Sequence, residues 1–325
     1  LNCLHCGSDC KKEVLSAELT TDSWIKIITY LKNRFSKSIA FVITGGEPLM
    51  NSDVYKIGSF INENGMRWGM VTNGIMLNLN HLDNLIKSGI SSITLSLDGL
   101  ADSHNWLRNN ESAFTRTIQA LKIIAQSDIE FRDVVTCVSP KNIHELENIA
   151  QLLIEHGIPN WRLFRIFPSG RALSNPELKL SFDKTKQLLQ WIKVNRPVYL
   201  KKGLNMNLSC EGWIPFEQDK KLRDFPFFCR SGINIASILS DGTITGCSNN
   251  SEGFHVGNIL NDNFGYLWEN HFELFRTKKW LANTVCADCK HIKSCKGSSI
   301  HLWDLGDSKP KFCYEVDMDN IQNAK

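Results

Sequence analysis

Between about residues 22 and 240, short apolar runs bounded by turn residues alternate with longer stretches whose apolar positions recur every three or four residues. That alternation is the mark of repeated strand and helix units, which build a parallel sheet covered by helices. The pattern predicts strands over 39–44, 68–72, 92–97, 131–138 and 161–166, and helices over 22–35 and near 52–64, 79–88, 113–126 and 143–156. In the first helix, Trp24, Ile25, Ile27, Ile28 and Leu31 fall at helical spacing behind an N-cap at Thr21 or Asp22, so its apolar stripe needs a sheet to cover. After Pro168 the regularity fades. Ser169, Gly170 and Arg171 lead to a helix near 182–194 and a connecting stretch that runs to about 228. Beyond it, 231–247 reads as a hairpin turning at Asp241 and Gly242, followed by a helix over 268–283 and a tail holding four cysteines. The expected division is a large α/β domain over 1–200, a connection over 201–228 and a small domain over 229–325. Five strands are one short of a six-fold βα array, and a strand upstream of Leu1 would supply the sixth.

Composition changes this picture mainly by exclusion. The 325 residues, 42% of them hydrophobic, suffice for two globular domains. Thirty-seven basic against 34 acidic side chains leave a net charge of +3, too small for the dense cationic field that a phosphate backbone requires, so nucleic acid is not expected as a partner. Apolar runs such as 39–44 are far short of the roughly 20 residues that span a bilayer, and no membrane helix is expected. The chain opens on Leu1 rather than Met, and the expectation is that it begins inside a longer open reading frame. Eleven cysteines, odd in number and clustered in CxxC fashion, fit metal ligands in a reducing compartment, the cytoplasm, better than disulfides.

Three motifs sit just past predicted strands: Gly45-Gly46-Glu47-Pro48, Thr72-Asn73-Gly74 and Ser96-Leu97-Asp98-Gly99. In parallel βα folds the carboxyl ends of the strands share one face, so these groups converge on one pocket. Paired glycines let a ligand approach the backbone, and Glu47 offers a carboxylate to a cationic group such as an ammonium. Any one motif is satisfied by a tight turn alone; three in register point to a site.

Cys3 and Cys6 are separated by two residues and Cys10 by three more, a spacing at which thiolates converge on one metal site. Residues 1–6, Leu-Asn-Cys-Leu-His-Cys, together with the later Gly45-Gly46-Glu47-Pro48, resemble the radical SAM superfamily, whose loop reads CxxxCxxC. Cys3 and Cys6 match its second and third cysteines, and its first falls two positions before Leu1; Cys10 is the competing third ligand or a spare thiol. The resemblance implies a 4Fe-4S cluster held by three cysteines, with one iron open to the amino and carboxylate groups of S-adenosylmethionine. It further implies that Gly45, Gly46 and Glu47 line the methionine moiety, that Ser96 contacts the cosubstrate, and that Arg108 pairs with its carboxylate. A guanidinium fork suits a carboxylate, although a solvated arginine is the plain alternative. His5 stands where the family has an aromatic residue beside the cluster, with simple packing as its alternative.

Cys229, then Gly242-x4-Cys247, then Cys286-x2-Cys289-x5-Cys295, then Cys313 is similar to the SPASM extension of radical SAM enzymes, which carries auxiliary 4Fe-4S clusters. The fold so implied is an α/β partial (β/α)6 radical SAM barrel, its first strand missing ahead of Leu1, with a small cysteine-rich C-terminal SPASM-like domain. Where the family has a cysteine four residues after Cys295, this chain has Ser299. Cys286, Cys289, Cys295 and Cys313 still make a full four-thiolate site. Cys229 and Cys247, with Cys210 upstream, remain for a second cluster that is three-coordinate, completed by the Ser299 oxygen, or absent. By spacing alone, the tail also permits a four-cysteine zinc site. Cys137, mid-strand among apolar neighbours, reads as a core thiol, and the nine tryptophans and 17 phenylalanines as core.

The resemblance implies that a reduced cluster passes one electron to the sulfonium, that the C5'–S bond breaks homolytically, and that the 5'-deoxyadenosyl radical removes a hydrogen from substrate. Auxiliary clusters would take up the substrate electron or bind substrate. This makes oxidative modification of a peptide or protein the leading expectation, with flavodoxin or ferredoxin as electron donor. Ser248 follows Cys247 where sulfatase-maturing enzymes have an aspartate, which argues against that activity. Residues 165–172, Arg-Ile-Phe-Pro-Ser-Gly-Arg-Ala, resemble tetrapyrrole side-chain-modifying enzymes as well as peptide modifiers, so the former stays open, as does a non-catalytic cluster or zinc module.

Overall fold

A computed structural model describes residues 1–10, 18–35, 38–210 and 212–315. They divide into two compact units, the first comprising Leu1–Glu13, Thr20–Ile166 and Gly170–Ser209, the second Val14–Leu19, Phe167–Ser169 and Cys210–Lys325. Along the first unit run α1 (Thr21–Phe35), β1 (Ala40–Ile43), α2 (Val54–Glu63), β2 (Arg67–Thr72), α3 (Leu79–Lys87), β3 (Ser92–Ser96), α4 (Ala101–Arg108), α5 (Ala113–Ala125), β4 (Phe131–Val138), α6 (Leu146–Glu155), β5 (Asn160–Arg165), α7 (Phe182–Lys201) and β6 (Asn205–Leu208). All six strands are parallel and their spatial order is their chain order. Parallel neighbours cannot be joined by a tight turn, and each of the five crossovers carries at least one helix.

Side chains alternate across a strand, and here the two faces differ in kind. Trp68, Met70, Ile93, Leu95, Val134, Trp161, Leu163, Met206 and Leu208 are buried on one face, against which the helices pack. The other face carries Ser92, Thr94 and Ser96 of β3, Asp133 of β4, Asn160 and Arg162 of β5 and Asn207 of β6, which the register aligns in rows across the sheet. An apolar face buried by helices supplies the stability, at roughly 1.5–3 kcal/mol for each fully buried large side chain. The polar face is left for chemistry.

The expected strands and helices are present with small shifts of boundary, and four differences have physical causes. The sheet's sixth strand, β6, comes from the stretch read as a connection; only four residues long, it alternates half-buried Asn205 and Asn207 with buried Met206 and Leu208. Helix α4 is short and ends at Asn109 in the left-handed region, so its periodicity is too brief to register. Helix α7 runs seven residues past its expected end and through Pro197. The proline lies on the exposed side, where the carbonyl it leaves unbonded, that of Lys193, can take water. The predicted helix over 268–283 is instead three pieces, described next.

In the second unit, β7 (Ser237–Ile238), β8 (Thr243–Thr245) and β9 (His255–Asn258) form an antiparallel sheet. The hairpin turns where expected: Gly242 has φ +90° and the Asp241 carboxylate accepts the Thr243 N–H at 2.9 Å. Around it lie α8 (Phe216–Asp219), α9 (Phe264–Asn270), α10 (Glu273–Arg276), a 3-10 turn over Lys279–Asn283 and α11 (Ile292–Cys295). The break before the 3-10 turn falls at Lys278, which is left-handed and whose ammonium donates to the carbonyls of Lys296 (2.8 Å) and Ser298 (3.3 Å). Phe254, Phe272, Phe275 and Trp303 are fully buried and make the core of this unit, as the aromatic content suggested. Among the described residues no helix is long and apolar enough to cross a membrane.

Gly58 of α2 shows how tightly the helix layer sits. A Cβ there would lie 2.3 Å from the buried Trp68 ring. Alanine at an unconstrained helix position gains about 1 kcal/mol over glycine, whereas overpacking a core costs about 1–3 kcal/mol. Gly58→Ala is therefore expected to lower the urea unfolding midpoint, and an unchanged or raised midpoint would contradict this packing.

Candidate functional site

The loop that carries Cys3, Cys6 and Cys10 folds on itself and is gripped from two sides. Within it the Cys6 N–H donates to the Cys3 carbonyl (3.4 Å), Asp9 N–H to the Cys6 carbonyl (3.3 Å), and Cys10 N–H points at Cys6 Sγ (3.4 Å). From α4, the Leu107 carbonyl accepts the Leu4 N–H at 2.9 Å. From beyond β5, Arg171 Nε donates to the Cys3 carbonyl (2.8 Å) and its Nη1 to the Cys10 carbonyl (2.8 Å) and Asp9 carboxylate (3.0 Å), while its N–H donates to the Cys6 carbonyl (3.0 Å). Gly170 makes that approach possible: it has φ +54°, and a Cβ would fall 2.3 Å from the Cys6 carbonyl oxygen. A hydrogen bond from the Cys10 thiol, opposed by burial and helped by Arg171, lowers the Cys6 pKa to about 5, and the same bond pushes Cys10 up. Cys6 is thus held as the thiolate, the form that ligates metal.

Under the loop lies a buried ion pair. Asp98, just past β3, is shut off from water and receives Arg108 Nη2 at 2.6 Å, while Arg108 Nη1 lies 3.8 Å from Cys3 Sγ. Burial pushes the Asp98 carboxyl up, but the Arg108 guanidinium reverses this and holds it below the usual carboxylate range. The other carboxylate oxygen accepts the Cys137 N–H at 2.8 Å, and the Asp98 N–H donates to His104 Nδ1 at 3.0 Å. Asn142 bridges the Asp98 and Cys137 carbonyls through Nδ2. His5 is buried with Nε2 3.8 Å from Asp98, and burial, against the pull of Asp98, lowers its pKa to about 4, so the ring is neutral near pH 7. Cys137, expected as a core thiol, packs against the buried cluster of Leu107, Ile166, Ala172 and Leu178, but it is only half-buried, on the polar face of β4, and its sulfur, Asp98 and His5 lie within 4.8 Å of one another. Arg108 already neutralises that carboxylate, so the trio is a poor cation site.

Gly45, Gly46 and Glu47 follow β1 and turn toward the cysteine loop, so that a Cβ added at Gly46 would lie 3.8 Å from Cys10 Cβ. Gly45 has φ +137° with open space around it, so conformation rather than crowding requires glycine there. Glu47 ties the ends of β1 and β2 together: its Oε1 accepts from Leu49 N–H (3.2 Å) and Thr72 Oγ1 (2.8 Å), its Oε2 from Asn73 N–H (2.8 Å). A carboxylate has about four lone-pair positions, so Oε2 retains room for one more donor. Ser96 is buried at the end of β3. Three of the expected groups, Cys3, His5 and Arg108, meet at Asp98, Cys6 lies in the same loop against Cys10 and Arg171, and Glu47 feels the charge of Arg108.

In the second unit, Cys286, Cys289, Cys295 and Cys313 line one cavity together with Trp213 and His291. Burial, followed by the charges of Cys313 and Cys286, pushes the Cys295 thiol up to about 12, and burial, with the charges of Cys313 and Cys289, raises Cys286. Thiols crowded so that each resists the ionisation of the next are what a cationic centre relieves. Cys229 and Cys247 lie outside that lining; burial and the charge of Cys229 raise the Cys247 thiol. Cys210 is exposed with φ +44°, its carbonyl accepting the Ser299 hydroxyl at 3.3 Å. The Lys278 ammonium feels the charges of Cys229, Cys295 and Cys286, although burial lowers its pKa.

The model of the radical SAM superfamily matches residues 1–153, and that of the SPASM iron-sulfur cluster-binding domain matches residues 229–290. The chain is a radical SAM protein with a SPASM domain. It is 24% identical over 319 residues to an AdoMet-dependent heme synthase of Nitratidesulfovibrio vulgaris, covering 94% of this chain and 85% of the relative. To the mycofactocin maturase MftC of Mycolicibacterium smegmatis it is 26% identical over 305 residues, covering 92% and 75%. Streptococcus suis SuiB bound to its precursor peptide SuiA superposes with a TM-score of 0.69 at 17% identity, over 91% of this chain and 68% of that one, which shows a shared fold.

The two domains carry 4Fe-4S clusters and S-adenosylmethionine as cofactors, and the residues of this radical SAM chain fit them. A low-pKa Cys6, an adjacent Cys3 and an arginine-braced loop suit one cluster, and four mutually repelling thiols around one cavity suit another. Sequence reasoning missed Gly170, Arg171, Asn142 and Cys137. The motif over 165–172 was noticed, but its contact with a loop some 160 residues earlier is visible only in the fold. Gly170→Ala is expected to push the cysteine loop outward and to lower iron and sulfide per chain after anaerobic reconstitution, with the fold retained by circular dichroism. Full cluster loading in that variant would contradict the close approach described here.

Proposed function

We propose that this radical SAM chain oxidatively modifies a peptide or protein by abstracting hydrogen from it. Cys3 and Cys6 are assigned as cluster ligands, the second and third cysteines of the CxxxCxxC spacing. The observation that carries the assignment is the arginine-clamped loop with a thiolate at Cys6. When bound, the reduced cluster and S-adenosylmethionine supply a 5'-deoxyadenosyl radical that removes a hydrogen atom from substrate. Glu47 accepts the cosubstrate ammonium through the free side of Oε2, and the open Gly45 and Gly46 let the methionine moiety lie on the backbone. Ser96 lies beside it. Arg108, engaged by Asp98 and close to Cys3, fixes the charge next to the cluster and is reassigned from the cosubstrate carboxylate to that task. Neutral His5 packs the loop onto Asp98.

Cys286, Cys289, Cys295 and Cys313 are assigned to an auxiliary cluster that takes up the substrate electron, with Cys229, Cys247 and Cys210 as ligands of a less complete second one, and flavodoxin or ferredoxin as the donor to the first cluster. A peptide substrate is supported by the likeness to a mycofactocin maturase and to SuiB with its precursor peptide. A second reading, modification of a heme-type tetrapyrrole, is favoured by the heme synthase that matches over most of both chains.

The protein, reconstituted without oxygen and reduced, is expected to form 5'-deoxyadenosine from S-adenosylmethionine. Cys3→Ala and Cys6→Ala should each abolish it and Cys10→Ala should not; intact product in the first two would defeat the ligand assignment. For the second unit, a Cys286→Ala and Cys295→Ala double variant should lose about four iron atoms per chain, the content of one cluster. A wild type holding zinc in place of that iron would overturn the auxiliary-cluster reading.

A further inference from the structure

On the polar face of the sheet, three strands contribute to one cluster that neither the cofactor site nor the core accounts for. Asp133 of β4 has a fully buried side chain whose two oxygens accept from Thr94 Oγ1 of β3 and Arg162 Nε of β5. Arg162 Nη2 also reaches Thr94 Oγ1 at 3.2 Å. The guanidinium is therefore fixed through Nε and Nη2, its carbon lies 5.9 Å from the centre of the Phe164 ring, and its side chain remains 37% exposed. A purely structural neutraliser of Asp133 would be expected to lie buried with it. A planar fork held rigid at one edge and open at the other is suited to grip a carboxylate with two parallel hydrogen bonds.

We propose that Arg162, oriented by Asp133 and Thr94, is an anchor for a carboxylate of the substrate. Its register supports this. Arg162 pairs with Val135, which pairs with Ser96, and two residues further along lie Cys137 and Phe164, where Asp98 takes the Cys137 N–H. Two residues of strand span about 7 Å, and the guanidinium reaches back to Asp133, four residues before Cys137, so a group held on Arg162 lies up to about 14 Å below the strand ends beneath the cysteine loop. The cosubstrate's own carboxylate is a poorer candidate. It shares a carbon with the ammonium assigned to Glu47 after β1, and β1 is four strand spacings from β5, about 19 Å along the sheet. The inference rests on the reading of this chain as a hydrogen-abstracting enzyme and adds the chemical class of what it acts on: a molecule with a free carboxylate.

The test is binding to the reconstituted, unreduced holoenzyme, so it does not depend on cosubstrate cleavage; absence of 5'-deoxyadenosine from reduced wild type would sink the radical reading and leave this measurement standing. Two probe pairs are titrated: iron coproporphyrin III against its tetramethyl ester, and a fluorescein-labelled peptide rich in Asp and Glu against its Asn and Gln counterpart. Wild type is expected to prefer the acid member of one pair by about tenfold or more, the scale of a charge-assisted pair of hydrogen bonds, and which pair it is names the source of the carboxylate. Arg162→Gln should bind both members alike, with Arg162→Lys intermediate. Because Arg162→Gln strands the buried Asp133, the D133N/R162Q double variant is measured beside it and should show the same loss of preference. No preference in wild type for either pair, a preference that survives in the folded double variant, or a larger effect on S-adenosylmethionine affinity than on both pairs would overturn the proposal.

Discussion

A carboxylate and a guanidinium, both withdrawn from water, meet at 2.6 Å where β3 ends, and the rest of the site is arranged around them. Each ion alone would cost several kcal/mol to bury, so neither Asp98 nor Arg108 can move without the other. Arg108 is the last residue of α4, where the helix dipole favours a cation, and the residue before it gives its carbonyl to Leu4. The position of the cysteine loop is thereby inherited from the ion pair rather than set by the loop itself. Asp98 extends the same constraint to β4 through the Cys137 N–H, and Asn142 closes the bridge between the two strand ends. A loop that must present thiolates at fixed spacing thus rests on the most rigid part of the unit, its central strands.

The opposite grip, by Gly170 and Arg171, works on different physics. Arg171 spends its donors on carbonyls of the loop, converting a flexible stretch into one with few unpaired acceptors, and its charge favours the Cys6 thiolate. In the second unit the balance is different. Burial and neighbouring thiols push Cys295 and Cys286 upward, and the ammonium of Lys278, which lowers Cys286, is itself held by backbone carbonyls. The first site is primed for metal by a neighbouring positive charge, the second by the mutual repulsion that metal removes.

Most of the sheet was legible because its apolar face is continuous: Trp68, Met70, Ile93, Leu95, Trp161 and Leu163 are buried in alternation along strands bounded by turn residues. The strand β6 was not, since Asn205-Met206-Asn207-Leu208 offers only two apolar positions, too few to distinguish from a loop. Glu47 was legible as a strand-end carboxylate, but its three hydrogen bonds to the ends of β1 and β2 were not, because donors brought by the neighbouring strand leave no trace at the position of the acceptor. Arg108 was picked out for its charge and assigned to a ligand; only the fold reveals the buried partner ten residues earlier that claims it. Cys137 read as core because it stands mid-strand near Val134, Val135 and Val138, yet alternation puts its neighbours Thr136 and Val138 on the helix side and leaves the thiol half-buried on the other.

The place of Ser299 follows from the same kind of reasoning. It stands where the SPASM pattern has a cysteine, it is buried, and its hydroxyl is used as a donor to the Cys210 carbonyl. That hydrogen bond fixes the backbone of an exposed residue in the left-handed region, a task a thiol, as a weaker donor, performs less well. A hydroxyl so engaged would have to give up its proton and its partner to ligate iron, whereas Cys286 and Cys295 need only lose protons that burial and neighbouring thiols make costly to remove. The two cysteine sets of the second unit are therefore not equivalent: one is a closed four-thiolate cavity, and the other is a pair of thiols, Cys229 and Cys247, whose remaining positions must be filled by groups the fold has already put to structural use.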